Sequence, residues 1–465
     1  MFEFNLNEHD YNRVHFIGIG GISMSGLAHL LLEKGYEVTG SDRSLSDSVK
    51  GLIKLGIEVY IGQKKENIQN PDLVVYTDAI ADDNEELIAA KKLDVPVVTR
   101  GVFLGALMRN YKNSIAVSGS HGKSTTTSMI SKILLHSDED ATILLGGNLD
   151  EMKGNVKVGS EDYLVTEACE YKGNIRYYFP QTVIILNIDE DHLDYYKDLD
   201  DIVNTFKEYL RNQDKNSKTI LNLNEENNKL ILDAVQGQLI TYGQENPNAD
   251  YNATNIVFDD IGRPSFDLKL RNGSVEHFSL GVIGRHNINN AMAAIISTYE
   301  NGIDIETIKE NIKKYKGLDR RMQIIGHVNN VTIMTDYGHH PSEILVTLNA
   351  IAEHTKGRLI CVWQPHTYSR TKTLFNDFLN SFDAADEVIV TDIYAAREKF
   401  DPSIHSKDVV DAMVKKGLNA KYLSTFEEAR DYIYEIIRDD DLVITTGCGN
   451  PDELAKMIVN DFKNK

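Results

Sequence analysis

The chain has 465 residues, 42% of them hydrophobic and 26% charged, so it is a folded globular protein too long for a single core, with about two to four domains expected. Lys and Arg number 49 against 70 Asp and Glu, a net charge of −21, which excludes a general nucleic-acid binder because no basic field offsets phosphate repulsion. Cys169, Cys361 and Cys448 stand far apart with no C-x-x-C pair, which argues against a disulfide framework or a zinc site. The first ten residues carry acids where a signal peptide needs bases, and no apolar run approaches ~18 residues, so a cytoplasmic protein with no membrane partner is expected.

In chain order, Arg13–Ile17 reads as a strand leading into a glycine turn, Gly18-Ile19-Gly20-Gly21-Ile22-Ser23-Met24-Ser25-Gly26, followed by a helix and a second strand that arrives at Ser41-Asp42. This is the first βαβ unit of a Rossmann-like domain, with phosphate at the turn and Asp42 placed for a ribose or base contact. Ser23 stands where the dinucleotide fingerprint has its third glycine, so the pattern indicates a nucleotide diphosphate more securely than NAD. Residues 72–77 and 96–100 supply further strands, and the domain is expected to close near Leu107. Arg100, at a strand end, is read either as a pyrophosphate partner or as a surface ion pair.

The stretch Ser114–Ser128, SIAVSGSHGKSTTTS, is a buried strand, a glycine turn and a helix start. That layout makes a phosphate-binding loop. Gly119, Ser120, His121 and Gly122 bring backbone N–H groups onto phosphate oxygens, Lys123 reaches the β/γ-phosphates, and Ser124 and Thr125 offer hydroxyls, Ser124 to Mg²⁺. The loop is shorter than G-x-x-x-x-G-K-[ST], because Val117 stands at the first glycine position. A strand over residues 162–166 then delivers Glu167, followed closely by Cys169 and Glu170, and a carboxylate beside a phosphate loop is a usual holder of Mg²⁺. A second strand, Thr182–Asn187, leads into Ile188-Asp189-Glu190-Asp191-His192-Leu193-Asp194. His192 is read as a metal ligand, the alternative being a hydrogen-bonded turn histidine.

Residues 216–280 alternate short strands with Asn/Gly turns and read as the edge of the central domain. A helix opening at Gly284–Ala291 carries Asn287 and Asn290 on one face, suited to an adenine edge or to an N-cap. After Leu318-Asp319-Arg320-Arg321 a new α/β series begins, with strands near 331–335, 359–363, 387–391 and 441–445. Polar residues collect at their ends: Asp336-Tyr337-Gly338-His339-His340, Gln364–Arg370, Asp392–Glu398 and Thr446–Gly449. Concentration at strand ends of one sheet argues for a site. The expected class is therefore α/β in three domains: residues 1–107 Rossmann-like, 108–319 a central P-loop ATPase with a mostly parallel sheet, and 320–465 Rossmann-like.

Six stretches, HFIGIGGISMSG, GSHGKSTTT, NIDEDHLD, GRHNINNA, DYGHHPSEI and QPHTYSRT, occur in an order that resembles the Mur ligase family from residue 15 to about 400. The resemblance implies ATP-dependent ligation of L-alanine to the lactyl carboxylate of UDP-N-acetylmuramate through an acyl phosphate, with release of ADP and phosphate, in the cytoplasmic phase of peptidoglycan synthesis. It implies a UDP-sugar site at Gly18, Gly20, Gly21, Ser23, Met24, Ser25 and Asp42. Catalytic roles fall on Lys123, Glu167 and His192, with Ser124, Glu167 and His192 on Mg²⁺ or Mn²⁺. Asn287 and Asn290 would contact ATP, Arg321 and Asp336 ATP or a domain interface, and Tyr337, His339 and Arg370 the amino acid. Asp78 replaces a small hydroxyl residue usual in the family, Thr367 an arginine, and residues 447–451 differ from the usual G-A-G-D. No lysine matches the carbamylated lysine of some relatives. The rival expectations are a murein peptide ligase that attaches a tripeptide to the same sugar, an NAD-dependent oxidoreductase, and a scaffold that senses ATP without chemistry.

Overall fold

In a computed structural model, describing residues 2–8, 10–192, 195–259, 262–396 and 398–463, the chain is an α/β protein with three sheets. Leu193, Asp194 and Arg397, which belong to the strand-end clusters named above, lie outside the described residues. By its internal contacts the chain divides into two compact units. One comprises residues 1–254, 267–278 and 289–315, the other 255–266, 279–288 and 316–465.

The first sheet holds β1 (Arg13–Ile17), β2 (Glu37–Asp42), β3 (Glu58–Ile61), β4 (Leu73–Tyr76) and β5 (Val97–Thr99) in the order β3-β2-β1-β4-β5, with every pair parallel. Its strands β1 and β4 are short and largely apolar, as expected of a parallel sheet buried on both faces, with His15 the polar exception in their interior. The helix Arg100–Met108 buries Phe103, Leu104 and Leu107 and ends shortly before the next strand. One continuous apolar core runs from Val14 and Phe16 through Phe103 and Leu107 to Ala116, Leu164 and Val183.

The second sheet contains β6 (Asn113–Ser118), β7 (Thr142–Leu149), β8 (Gly154–Lys157), β9 (Tyr163–Glu167), β10 (Thr182–Ile185), β11 (Lys218–Asn222), β12 (Gln238–Gln244), β13 (Tyr251–Phe258), β14 (Pro264–Lys269) and β15 (Val275–Ser279). Their order is β15-β14-β13-β12-β11-β10-β6-β9-β7-β8. Parallel pairing puts Val117 beside Glu167 and Ser118 beside Ile185, so three neighbouring strands deliver their C-terminal ends to one edge. In an open α/β sheet that edge is where ligands bind.

The third sheet has β16 (Gln323–Val328), β17 (Val331–Asp336), β18 (Leu359–Trp363), β19 (Glu387–Val390), β20 (Ala420–Tyr422) and β21 (Leu442–Thr446), ordered β16-β17-β21-β18-β19-β20. All pairs are parallel except β16–β17, a hairpin turned at Asn329 in the left-handed region, φ 50°. Asn adopts that conformation at low cost. Trp363, 1% exposed, packs between Phe378 and Phe382 with ring centroids 4.6 and 5.2 Å away. Among the described residues no helix is long and apolar enough to cross a membrane.

Candidate functional site

Between β6 and the helix Lys123–Leu135 the backbone turns through Gly119 (φ 133°) and Gly122 (φ 85°). A Cβ on Gly122 would stand 2.4 Å from Asn290 Oδ1, so glycine is required there both for conformation and for space. The residues after β10 brace the turn. Asn187 Oδ1 accepts the His121 N–H at 2.8 Å, and Asn187 Nδ2 donates back to the His121 carbonyl at 3.1 Å. The Asp189 N–H donates to Ser120 Oγ at 2.8 Å. The loop is thus braced at the helix N-terminus, where backbone donors and the dipole favour phosphate.

Lys123 Nζ donates to the Gly119 carbonyl at 2.5 Å and to the Ser120 carbonyl at 3.1 Å, and pairs with Glu170 Oε2 at 3.1 Å. Burial works most strongly against the ammonium, but Glu170, with Cys169 and Asp191 adding to it, outweighs that cost and the pKa is raised. Glu170, 2% exposed in its side chain, also faces His192, whose Nε2 lies 3.7 Å from Glu170 Oε1 and 3.7 Å from Asp191 Oδ2. The His192 backbone is left-handed, φ 56°, and its ring lies 4.8 Å from that of Tyr171. Ligand atoms of Glu170, Asp191 and His192 all fall within 4.8 Å of one another. Two carboxylates and an imidazole suit a hard or borderline divalent cation such as Mg²⁺ or Mn²⁺.

The expected ligand Glu167 stands outside that group. It ends β9, and its Oε1 accepts the Gly146 N–H at 2.7 Å. Ser124 and Thr125 are in the first turn of the phosphate-loop helix. Asn290, 7% exposed, accepts from Thr126 Oγ1 at 3.4 Å, which sets it against that helix. Asn287, 5% exposed, donates to the Ile283 carbonyl at 2.7 Å, so one of its amide hydrogens serves the helix start. Burial pushes neighbouring His286 down to about 4. The thiol of Cys169 is pushed up to about 11 by burial, with Glu170 adding to it, so it is not a nucleophile at neutral pH.

The first glycine turn differs from its sequence reading in one respect. The N–H groups of Gly18 and Ile19 both donate to the Ser41 carbonyl, at 2.8 and 2.9 Å, and that of Gly20 to Asp42 Oδ2 at 2.9 Å. Asp42 Oδ1 accepts from Ser44 N at 3.3 Å. The Asp42 carboxylate therefore anchors the turn. The donors left to a phosphate belong to the start of the helix Ile22–Glu33, through Ser23 and Met24, with Ser25 N donating back to Gly21 O at 2.8 Å. That helix has no side-chain cap and no acid in its first turn, an arrangement open to an anion. Arg100 Nη1 reaches Ser23 Oγ at 3.4 Å. Asp78 accepts from Asn174 Nδ2 at 2.8 Å, and Lys172 Nζ donates to the Asp78 carbonyl at 2.7 Å.

In the second unit, Asp336 is 4% exposed and accepts the N–H groups of Met322 (2.9 Å) and Gly338 (2.7 Å). Burial raises its pKa against the opposing pull of Arg321. Arg320 and Arg321 place their guanidinium carbons 4.9 and 5.0 Å from the Tyr337 ring centroid. Arg320 Nη2 also donates to the carbonyls of Gly447 and Gly449, at 3.0 and 2.9 Å, and so pins the divergent turn at 447–451. Tyr337 and His339 meet edge to face at 5.6 Å, His339 and His366 lie 6.2 Å apart, and Arg370 Nη1 is 3.4 Å from His366 Nδ1. Burial, assisted by Arg370 and Arg321, holds the His339 pKa down although Glu343 opposes it. Thr367 caps the helix Tyr368–Thr373 by accepting the Arg370 N–H. Sequence reasoning brought Tyr337, His339 and Arg370 to one sheet edge, placed His366 and Tyr394 at the same strand ends without giving them a role, and missed Arg320. His366 stacks on Tyr394 at 5.9 Å, and the signal for both was their position at neighbouring strand ends.

Fold and site together define a phosphate-loop protein with a second strand–glycine turn–helix unit and a cluster of aromatic, histidine and arginine side chains at the edge of its last sheet. Three family models match in sequence: "Mur ligase family, catalytic domain" over residues 13–112, "Mur ligase middle domain" over 117–298, and "Mur ligase, glutamate ligase domain" over 320–449. The chain is 44% identical over 453 residues to the UDP-N-acetylmuramate–L-alanine ligase of Caldanaerobacter subterraneus subsp. tengcongensis, covering 97% of this chain and 98% of that one. It is 43% identical over 457 residues to the ligase of the same name from Clostridium acetobutylicum, covering 98% and 99%. Among solved structures, the UDP-N-acetylmuramate-alanine ligase of Thermotoga maritima superposes with a TM-score of 0.81 at 27% identity, covering 97% and 99%. A murein peptide ligase from Psychrobacter arcticus shares the fold, with a TM-score of 0.71 at 23% identity over 97% and 99%. The chain belongs to the Mur ligase family.

Proposed function

We propose that this protein joins L-alanine to UDP-N-acetylmuramate at the expense of ATP, as the ligases that it resembles over nearly their whole length are named for doing. The lactyl carboxylate attacks the γ-phosphorus and the bond to the β-bridging oxygen breaks, leaving ADP and an acyl phosphate. The alanine amine then attacks the acyl carbon, and the tetrahedral adduct expels phosphate as the amine loses its proton. The observation that carries this reading is Lys123, held inside a braced phosphate loop beside Glu170, Asp191 and His192.

Phosphoryl transfer asks a protein mainly for positioning and charge compensation. In this reading Lys123 and the loop and helix-start donors of Gly119, Gly122, Ser124 and Thr125 hold the β/γ-phosphates, the N–H groups of Ser120 and His121 being taken by Asn187, and Asn290 with Asn287 orients adenine. Ser124, Glu167 and His192, joined by Glu170 and Asp191, would hold Mg²⁺, with Mn²⁺ as a substitute. The cation there would neutralise charge on the phosphate oxygens. Arg321 is assigned to ATP by the family resemblance, and Asp336 supports that region by fixing the backbone of Met322 and Gly338. Tyr337, His339 and Arg370 receive alanine. Arg370 grips its carboxylate, and a neutral His339 accepts a hydrogen bond from its amine. We place the reaction in the cytoplasm, where ATP and nucleotide sugars are available.

The test is ADP release with UDP-N-acetylmuramate and each candidate acceptor. Turnover that requires both the sugar nucleotide and L-alanine is expected. Faster turnover with a muropeptide tripeptide than with alanine would transfer the assignment to a peptide ligase. In Arg370→Lys the alanine KM should rise about tenfold with the ATP KM unchanged, because a point charge replaces a bidentate fork.

A further inference from the structure

Beneath the first glycine turn lies a fully buried polar chain that the proposed reaction does not use. His15 on β1 is 1% exposed, and Glu86, in the helix Glu85–Ala90, is 0% exposed. His15 Nε2 lies 2.8 Å from Glu86 Oε1, and its Nδ1 lies 2.8 Å from Thr39 Oγ1. The second carboxylate oxygen, Glu86 Oε2, accepts from Ser41 Oγ at 2.6 Å. Thr39 and Ser41 are two apart on β2 and share one face of the sheet. A carboxylate taken wholly out of water is costly, and it persists only where its oxygens are filled. An apolar pair would join this helix to the sheet at less cost, so packing alone does not account for it.

The far end of the chain supplies a reason. Ser41, held by Glu86 through its hydroxyl, offers its carbonyl to both Gly18 and Ile19, and the next residue, Asp42, takes Gly20. Three successive N–H groups of the turn are thus fixed by two residues at the end of β2, and that strand end is fixed from below by Glu86 and His15. We propose that Glu86 is a positioning residue for the sugar-nucleotide turn. Through Ser41 and His15 it sets where the turn passes into the helix Ile22–Glu33, and hence where the helix donors meet the diphosphate. It touches no substrate. The assignment rests on reading this turn as the UDP-sugar site.

Two variants test it on the full-length enzyme. Ser41→Ala removes only the link, and Glu86→Gln keeps the shape while removing the charge. Binding of UDP-N-acetylmuramate is measured by calorimetry, and KM for sugar nucleotide, ATP and alanine by ADP release. The expected result is sugar-nucleotide binding and KM weakened roughly tenfold, the scale of one lost hydrogen bond to a charged group, with ATP and alanine KM within about twofold of wild type. A merely structural role would lower the melting temperature and shift all three constants together, or leave them unchanged, and either pattern in the better-folded variant overturns the proposal. Because binding is read without turnover, a wild type that binds the sugar nucleotide yet releases no ADP overturns the reaction and not this assignment. A wild type that binds no sugar nucleotide overturns both.

Discussion

The chain builds strand, glycine turn and helix twice, at residues 13–33 and 113–135, and the two turns are stabilised from different sources. The first is held by the strand that follows it, through the Ser41 carbonyl and the Asp42 carboxylate. The second is held by a strand far along the chain, through Asn187 and Asp189 after β10, and carries a lysine folded into its own mouth. A turn braced by its own unit can present a helix end to a diphosphate and stop there. A turn braced by a distant strand has that strand's acids and histidine within reach of its lysine, and this adds the charge compensation that transfer needs.

Removing that lysine breaks the contrast most sharply. Lys123→Ala should lower kcat by ~10²–10³, the usual loss for one electrostatic contact to the transition state, while calorimetric binding of UDP-N-acetylmuramate is unchanged. Loss of sugar-nucleotide binding in the same variant would show that the turns are not separable. Next in size is Glu170→Gln. Removing the charge that faces both Lys123 and His192 should reduce turnover about 10- to 100-fold and raise the Mg²⁺ concentration for half-activation, measured by metal titration of ADP release. An unchanged metal dependence would leave Glu170 as a partner of Lys123 alone. A paired substitution sharpens the comparison further. Gly122→Ala, with its Cβ 2.4 Å from Asn290 Oδ1, should raise the ATP KM about tenfold, and Gly20→Ala, with its Cβ 2.7 Å from Val49 and 2.8 Å from Asp42 Oδ2, the sugar-nucleotide KM by as much. Cross-effects in either variant would count against the separation.

The smallest effect is on stability against pH. Burial lowers the His286 pKa to about 4 in the folded state, whereas the unfolded chain titrates near ~6.5. The unfolded state therefore binds the proton first on acidification. The contribution of His286 is complete above ~6.5 and is lost between ~6.5 and about 4, at no more than ~1.4 kcal/mol per pH unit. Denaturant melts of wild type and His286→Gln over that window should differ in slope, with the variant the flatter of the two.

Much of this was legible in sequence, because apolar runs ending in glycine or in acids mark strand ends. The three parallel series, both glycine turns, Lys123 and His192 could all be read that way. The part played by Glu170 could not. Strand period delivers Glu167 to the end of β9, where its Oε1 accepts a backbone N–H at Gly146, 21 residues earlier, whereas the chain must turn once more before Glu170 meets Lys123. Nor could the sequence, which offers Asp42 for a ribose or base contact, announce the tie from Gly20 N to Asp42 Oδ2. A glycine spacing reports where backbone can approach a phosphate, and says nothing of which N–H groups other parts of the fold have already taken. The antiparallel strand Gln323–Val328 escaped because the apolar series is unmistakable only from Val331 onward.

The position of Trp363 has an optical consequence. It is the only tryptophan in the chain, and it lies under Phe378 and Phe382 in the core of the C-terminal sheet, one residue before Gln364 and three before His366. Indole emission, excited selectively over tyrosine, therefore reports on that unit's core, while far-ultraviolet dichroism reports on the whole chain. Recording both during one denaturation separates melting of the C-terminal sheet from melting of the sheets that carry the two glycine turns, without any label.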